Sequence, residues 1–223
     1  MTLPLPRPIL DRAAFILANT ASLSTPLVPE MRLHLATESL PLWQATEDAL
    51  AECGLPPPYW AFAWAGGQAL ARHVLDHPEL VRGKAVLDFA AGSGLGAIAA
   101  CLAGASAVTA TDIDAFALVA LGLNAGLNDV AFAMTAEDVV DTDLGWDVVL
   151  AGDVFYEKPM TDRIEPWLRR LAARGCLVLV GDPGRTYLPK HGLERVADFS
   201  VPTTRELEDT DVRRTKVWRV LPK

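Results

Sequence analysis

Apolar positions in the second half of the chain alternate between short runs and longer, helically spaced runs. Short apolar runs predict five strands, at 85–89, 106–111, 130–135, 146–151 and 177–181. Between them, helical spacing predicts three helices, at 95–103, 116–127 and 160–173. Strands separated by helices of this length form βαβ units, so we predict an α/β fold with a mostly parallel sheet and helices on both faces.

The two ends of the chain show different patterns. Residues 195–201 and 216–221 look like strands joined by a charged turn, which predicts a C-terminal antiparallel hairpin. Residues 9–20 and 30–52 have helical spacing, and Pro41 breaks the second run. Six apolar positions are expected to be buried there: Leu33, Leu35, Leu40, Leu42, Trp43 and Leu50.

These patterns suggest one structural domain with two parts. A proline-rich connector at 56–58 is followed by a helical pattern at 64–75. We therefore predict that 1–58 is a helical extension packed on the core and that 59–223 is the main domain. A chain of 223 residues is long enough to bury such a core.

Composition and charge narrow the classes of partner. The net charge of −8 lowers the expectation of a nucleic-acid partner, because such proteins usually carry a basic face. No apolar run approaches the roughly 20 residues that a membrane span needs. Cys53, Cys101 and Cys176 lack metal-ligand spacing, so we expect no metal site. The first eight residues lack the features of a secretory signal. We expect a soluble, cytoplasmic monomer.

A glycine-rich turn follows the first predicted strand of the sheet, in the run VLDFAAGSGLG at 86–96. Glycines there allow a ligand to approach the backbone closely at a helix N-terminus. Asp88 lies inside an apolar strand, where a carboxylate is costly without a partner. Asp112 closes the next strand, where an acid can accept both hydroxyls of a ribose.

Two cofactor classes use such a turn. A nicotinamide dinucleotide favours Gly-x-Gly-x-x-Gly, whereas this chain has Asp-x-x-x-Gly-x-Gly-x-Gly. The pattern resembles motif I of class I methyltransferases, so we favour S-adenosyl-L-methionine. The expected cofactor contacts in and after the first three strands are Asp88, Ala90, Gly92, Gly94, Asp112, Ile113, Ala136 and Glu137. The acids after the third strand could instead cap a helix.

The fourth predicted strand delivers Asp153 and Tyr156 to the carboxyl edge of the sheet, where ligands bind in open α/β folds. The sequence at 153–156 is Asp-Val-Phe-Tyr, in place of the Asn-Pro-Pro-Tyr typical of methyltransferases that act on base amino groups. A carboxylate suits a substrate that arrives as a cation, because it can hold an ammonium and help it to lose a proton. The alternative is structural: an Asp that caps a helix and a Tyr in the core.

Two tryptophans flank an extended segment before the glycine pair at 66–67. We expect one of Trp60 and Trp64 to belong to the core. An aromatic face can also attract a sulfonium or a methylated ammonium, by about 0.5–2 kcal/mol.

From about Phe15 onward the chain resembles the seven-strand protein lysine methyltransferases, which carry Asp-x-x-Tyr after the fourth strand. The likeness rests on Phe15 with 28–30, and on 41–47, 59–61, Trp64 with 66–70, 152–156 and Gly-Asp-Pro-Gly-Arg at 181–185. Within this family the likeness is greatest to members that methylate the β subunit of electron transfer flavoprotein. About 14 residues precede the likeness, which leaves little room for a presequence and suggests a bacterial relative.

The resemblance implies a Rossmann-like, seven-stranded fold and an S-adenosylmethionine-dependent protein-lysine N-methyltransferase. It implies that Asp153 and Tyr156 are catalytic and that Trp64 and Ala151 contact the cofactor. The substrate pocket would include Trp60, Phe155, Asp182 and Arg185. Ala65 stands where the family has proline, a departure that concerns only the local backbone.

The implied substrate is a set of lysines on the flavoprotein β subunit. Two alternatives stay open at this point. One is a methyltransferase for a small-molecule amine, and the other is a cofactor-binding interaction protein without turnover.

Overall fold

The computed structural model describes residues 11–37, 42, 50, 55–203 and 210–222. Its helices are α1 (Arg12–Asn19), α2 (Ala65–Asp76), α3 (Leu95–Leu102), α4 (Ala115–Leu127) and α5 (Lys158–Ala173), with 3-10 turns at Tyr59–Ala61 and Pro78–Leu80. Its strands are β1 (Ala21–Thr25), β2 (Val28–Leu35), β3 (Ala85–Phe89), β4 (Ala107–Thr111), β5 (Ala133–Thr135), β6 (Val148–Gly152), β7 (Leu177–Asp182), β8 (Leu193–Pro202) and β9 (Val212–Val220).

Within the described residues, seven strands form one sheet in the order β5-β4-β3-β6-β7-β9-β8. The first five of these are parallel, and β9 runs antiparallel to both β7 and β8. The predicted parallel sheet with a C-terminal antiparallel hairpin is confirmed. The chain passes from β3 through β4 to β5 at one edge of the sheet, and it then returns so that β6 pairs with the other side of β3. Ligands bind at the carboxyl ends of the strands where the order reverses in this way.

The core explains why the central strands are apolar throughout. On β6, Val148 and Leu150 join the apolar cluster that contains α2 and α3, whereas Val149 and Ala151 join the cluster that contains α5. Because successive side chains of a strand point to opposite faces, a sheet covered by helices on both faces buries every position. Burying each Val or Leu side chain stabilises the fold by about 1.5–3 kcal/mol relative to leaving it exposed.

Most predicted elements lie within two residues of the observed ones. β9 begins four residues earlier than predicted, and β5 covers only the second half of the predicted strand at 130–135. The N–H of Val130 instead donates to the carbonyl of Ala125 at 3.1 Å, which closes the turn after α4. Asp129 precedes it with a φ of 53°, the left-handed conformation that often follows a helix.

The helical prediction for 30–52 is wrong over 30–35, where β2 pairs antiparallel with β1. Met31, Leu33 and Leu35 are buried at every second position, which is the spacing of a strand. The remaining part of that prediction, with Leu40 and Trp43, lies largely outside the described residues, as does the charged turn at 204–209. Leu42 and Leu50 are buried as expected.

The β1–β2 hairpin is tied to α4 by two asparagines. Asn128 exchanges hydrogen bonds with the backbone of Arg32, at 2.9 and 2.7 Å. Asn124 accepts from the N–H of His34 at 2.7 Å and donates to the carbonyl of Ser93 at 2.8 Å. Because Ser93 belongs to the glycine-rich turn, the hairpin is connected to that turn through one buried side chain.

None of the helices in the described part of the chain is long and apolar enough to cross a membrane.

Candidate active site

A cavity of about 630 Å³ opens at the carboxyl ends of β3, β4 and β6. Its wall comes from the glycine-rich turn, the segment 56–64, the residues after β4 and β6, and the start of α5. Cavities of roughly 300–1,000 Å³ accommodate ligands of cofactor size. The cavity therefore lies where the strand order predicts a ligand.

The glycine-rich turn is shaped by residues in the left-handed conformation. Ala90, Gly92 and Gly94 have φ values of 52°, 51° and 86°. Gly94 is the residue before α3, and a Cβ atom there would lie 2.7 Å from Cδ2 of Leu121. Glycine is thus required at Gly94 by both conformation and packing.

Asp88 places a buried carboxyl group under this turn. It is 4% exposed, and its Oδ2 accepts the N–H of Ala97 at 2.8 Å. Burial raises the pKa of Asp88 to about 7. A Cβ atom on Gly96 would collide with the carboxyl group, so glycine allows α3 to lie directly against it. Within the described part of the chain no basic side chain binds this carboxyl group, so it fits a ligand that brings an ammonium group.

Asp112 follows β4 and holds the turn from the other side. Its Oδ2 accepts the N–H of Gly92 at 2.9 Å and its Oδ1 accepts the N–H of Asp114 at 2.9 Å. Burial raises the pKa of Asp112. Each carboxylate oxygen has two lone pairs, so this geometry also allows hydrogen bonds from ribose hydroxyls. The exposed side chain of Ile113 lines the cavity beside it and offers an apolar face to an adenine.

Asp153 follows β6 in the left-handed conformation, with a φ of 56°. It is 8% exposed. Its Oδ2 accepts the N–H of Gly67 at 3.0 Å, at the start of α2. Its Oδ1 accepts from Nη2 of Arg185 at 2.7 Å and from Nε at 3.1 Å. The carboxylate therefore faces a guanidinium and a helix N-terminus before any substrate is present.

At the start of α2, backbone atoms of Gly66 and Gly67 lie close to Gly181 and Gly152 at the ends of β7 and β6. A Cβ atom on Gly66 would collide with the carbonyl of Gly181 and lie 2.5 Å from Oδ2 of Asp153. A Cβ atom on Gly152 would lie 2.9 Å from Cα of Gly67. These glycines bring the first N–H groups of α2 within hydrogen-bond distance of Asp153.

The loop after β7 fixes Arg185. Oδ1 of Asp182 accepts the backbone N–H of Gly184 at 2.6 Å and that of Arg185 at 2.7 Å. The guanidinium of Arg185 lies 5.5 Å from the centre of the Trp64 ring, which favours a cation–π contact. Arg185 is thus held by its backbone, by an aromatic face and by Asp153.

Aromatic side chains surround this end of the cavity. The ring of Tyr59 lies 5.5 Å from that of Tyr156 and 6.0 Å from that of Trp64. Burial, with the nearby Tyr59, raises the pKa of Tyr156 to about 12, so its hydroxyl keeps its proton at neutral pH. Trp60 is 1% exposed and stacks on Phe116, so it is mainly a core residue, as expected for one of the two tryptophans.

The structure brings most of the predicted site residues to one cavity: Trp60, Trp64, Asp88, Ala90, Gly92, Asp112, Ile113, Glu137, Asp153, Tyr156 and Arg185. Several other wall residues were not predicted from the sequence: Tyr59, Phe62, Asp114 and Met160. Tyr59 stood in the aromatic block 59–64 and could have been chosen for that reason, whereas Met160 carries no signal in the sequence.

Five predicted residues lie outside the cavity lining. Phe155 is fully buried in the apolar cluster of α5, and Val154 faces the cavity instead. Val149 and Ala151 join the same cluster, so the alternation of β6 continued to residue 155 already places Phe155 on the α5 face. Asp182 is fully buried and fixes the loop from behind.

The other three are backbone neighbours of the site. Gly94 caps α3, Ala151 is buried one residue before the lining Gly152, and Ala136 is exposed after β5.

Comparisons with known proteins agree with this geometry. A family model described as ribosomal protein L11 methyltransferase (PrmA) matches residues 69–181. The fold is similar to that of the L11 methylase of Lactobacillus delbrueckii, with a TM-score of 0.52 and 20% identity over 73% of this chain and 81% of that one. It is also similar to the magnesium protoporphyrin IX methyltransferase of Synechocystis, solved with bound cofactor, with a TM-score of 0.52 and 16% identity over 84% of this chain and 100% of that one.

The family match, the fold and the cavity with the carboxyl groups of Asp88 and Asp112 therefore define an S-adenosylmethionine-dependent class I methyltransferase. Relatives that match over most of their length identify the family within this class. The electron transfer flavoprotein beta subunit lysine methyltransferase of Danio rerio is 40% identical over 94% of this chain and 83% of its own length. The Homo sapiens protein is 36% identical over 94% of this chain and 82% of its own length. The chain belongs to the electron transfer flavoprotein beta subunit lysine methyltransferase family.

Proposed function

We propose that this enzyme transfers methyl groups from S-adenosylmethionine to lysine side chains of the β subunit of electron transfer flavoprotein. The observation that carries the proposal is the position of Asp153 and Tyr156 at one end of the cofactor cavity. The names of its relatives give the substrate. A carboxylate and a tyrosine hydroxyl suit the amine of a lysine.

The cofactor, when bound, supplies an electrophilic methyl group on a positively charged sulfur. Asp88 and Asp112 would hold its amino and ribose groups. Lysine has an ordinary pKa near 10.4, so the target must lose a proton before it can react. Asp153 and Tyr156 would orient the amine, and such positioning alone can lower a barrier by several kcal/mol.

The charge around the cavity favours a lysine-bearing segment of a protein. Apart from Asp88 and Asp112, the charged residues of its wall are mostly acidic: Asp114, Glu137, Asp138, Asp153 and Glu157 stand beside the basic Arg163 and Arg185. Complementary charge speeds encounter and is screened by salt. The net charge of −8 likewise favours a protein partner over a nucleic acid. We also propose that the enzyme is a cytoplasmic monomer that needs no membrane, as the sequence led us to expect.

The test is methylation of purified flavoprotein β subunit with labelled cofactor. We expect label on lysines of this protein, less of it at high salt, and none when the labelled lysines are changed to arginine. Asp153→Asn should bind the cofactor but lose transfer, and Tyr156→Phe should lose less. Label that appears in RNA or in a small amine, and not in the protein, would replace this proposal with another substrate class.

Asp141→Asn is a matched control for Asp153→Asn. Asp141 also has a left-handed backbone, with a φ of 69°, and it also pairs with an arginine, Arg170. That pair is exposed on the surface, and neither residue lines the cavity. The control should therefore keep normal transfer.

A further inference from the structure

The pairing of Asp153 with Arg185 changes what the carboxylate can do for a lysine. The two side chains are mostly buried, with 10% and 18% of their surfaces exposed. Two guanidinium nitrogens of Arg185 donate to one oxygen of Asp153, and Gly67 at the start of α2 donates to the other. A helix N-terminus carries roughly half a positive charge. The negative charge of Asp153 is therefore already balanced.

Arg185 is also fixed in place. Its backbone N–H is bound to the fully buried Asp182, and its guanidinium lies over the ring of Trp64. An arginine stays charged at every pH at which the enzyme works. Displacing it would leave a buried charge without its partner, which is costly. We therefore expect Arg185 to stay beside Asp153 when the substrate enters.

We propose that Arg185 is a positioning residue that keeps the target lysine amine neutral. The inference rests on the proposed function, because it takes Asp153 as the group that faces the amine. An ammonium entering this site meets a balanced carboxylate, a guanidinium and a positively charged sulfur. The acidic Asp112 and Glu157, which lie near Tyr156 in the same cavity, act in the opposite direction, but Arg185 is the charge bonded to Asp153 itself. Cations within about 4–6 Å disfavour a further cation, and the apolar wall disfavours it again. A neutral amine suffers neither penalty and can still donate an N–H to Asp153.

The reaction balances in these terms. The lysine ammonium releases one proton to water as it enters. The lone pair of the neutral amine forms the bond to the methyl carbon, while the bond from that carbon to sulfur breaks and its electron pair stays on sulfur. After transfer the sulfur is neutral, and the product, a methylammonium beside the charged Arg185, releases its proton to solvent.

The test is the pH profile of kcat for methylation of a purified substrate protein. In the wild type we expect the rate to rise with an apparent pKa at least about one unit below the ordinary lysine value of about 10.4. Arg185→Gln should move this limb to higher pH by about one unit, with a roughly tenfold loss of rate below it. Arg185→Lys keeps the positive charge, so the rise of kcat should stay at the wild-type pH. Only the maximal kcat at high pH should fall, and only in part.

Arg170→Gln is the matched control, because it removes an exposed arginine that pairs with Asp141 on the surface. Its profile should match that of the wild type. Cofactor affinity and melting temperature of each variant show whether it folds.

Two results would overturn the proposal. One is a wild-type limb at or above the ordinary lysine pKa, which needs no variant and decides the matter even if Arg185→Gln does not fold. The other is a folded Arg185→Gln enzyme that loses rate equally at all pH values, since that is a purely structural effect. In both cases the proposed function stands as long as the wild-type enzyme methylates lysine. Failure of the proposed function would be recognised separately, because no labelled lysine would then be found.

Discussion

Asn124 should link the N-terminal hairpin to the cofactor turn. Its side chain is fully buried and joins the N–H of His34 to the carbonyl of Ser93. Replacement by alanine removes both hydrogen bonds and leaves both backbone groups without that partner. The Asn124→Ala variant should therefore lose stability and also weaken cofactor binding.

The size of the effect follows from the two lost bonds. Each polar group left unsatisfied costs about 1–3 kcal/mol, so the loss of both bonds should lower the free energy of unfolding by about 2–6 kcal/mol. In a protein of this size that lowers the melting temperature by roughly 4–24 °C. If about 1 kcal/mol of the loss is needed to order the turn around the ligand, the affinity for S-adenosylmethionine falls about fivefold.

Asn128→Ala is the control, because Asn128 binds the same strand through Arg32 at exposed positions and does not contact the turn. Denaturant unfolding and calorimetric titration of the cofactor measure the two effects. We expect Asn128→Ala to lose some stability and to bind the cofactor normally. Equal cofactor affinities in the two variants, or a stability change below about 0.5 kcal/mol for Asn124→Ala, would refute the reasoning.

Two further predictions concern pH and the C-terminal strands. Burial raises the pKa of Asp88 from 3.8 to about 7, so the cofactor-free protein should lose stability as the pH rises between these values. Asp88→Asn should remove that loss. If the melting temperatures of both proteins change equally with pH from 5 to 8, the prediction is contradicted. Arg169, 8% exposed, donates to the carbonyl of His191 at 2.6 Å, so Arg169→Ala should cost about 2–4 kcal/mol in denaturant unfolding. The neighbouring Arg170→Ala should cost less than about 1 kcal/mol, and equal losses would show that burial is not the cause.

The sheet and the cofactor carboxyl groups could be predicted because their signals are local. The apolar runs that form β3 and β6 are continuous, and Asp88 and Asp112 stand at fixed distances from the glycine-rich turn. The β1–β2 hairpin was missed because three alternating apolar residues at 31–35 also fit part of a helical pattern. Short apolar segments of this kind do not separate the two structures.

The partners of Asp153 could not be predicted, because they come from distant parts of the chain. Gly67 lies 86 positions before it and Arg185 lies 32 positions after it. Each stands in a block that sequence reasoning selected, yet nothing in the sequence shows that the three meet. The resemblance placed Phe155 in the substrate pocket, whereas alternation with Val149 and Ala151 places it in the apolar cluster of α5.

The contact between α2 and the ends of β6 and β7 has a consequence for how this enzyme can change over evolutionary time. Most packed pairs tolerate a larger residue on one side when the other side becomes smaller. Gly66 and Gly181 meet through their backbones, so neither partner has a side chain left to shorten. No second substitution at this contact can compensate for a first. Divergence of substrate specificity in this fold must therefore arise in the surrounding loops and aromatic side chains, while this pair of glycines stays the same.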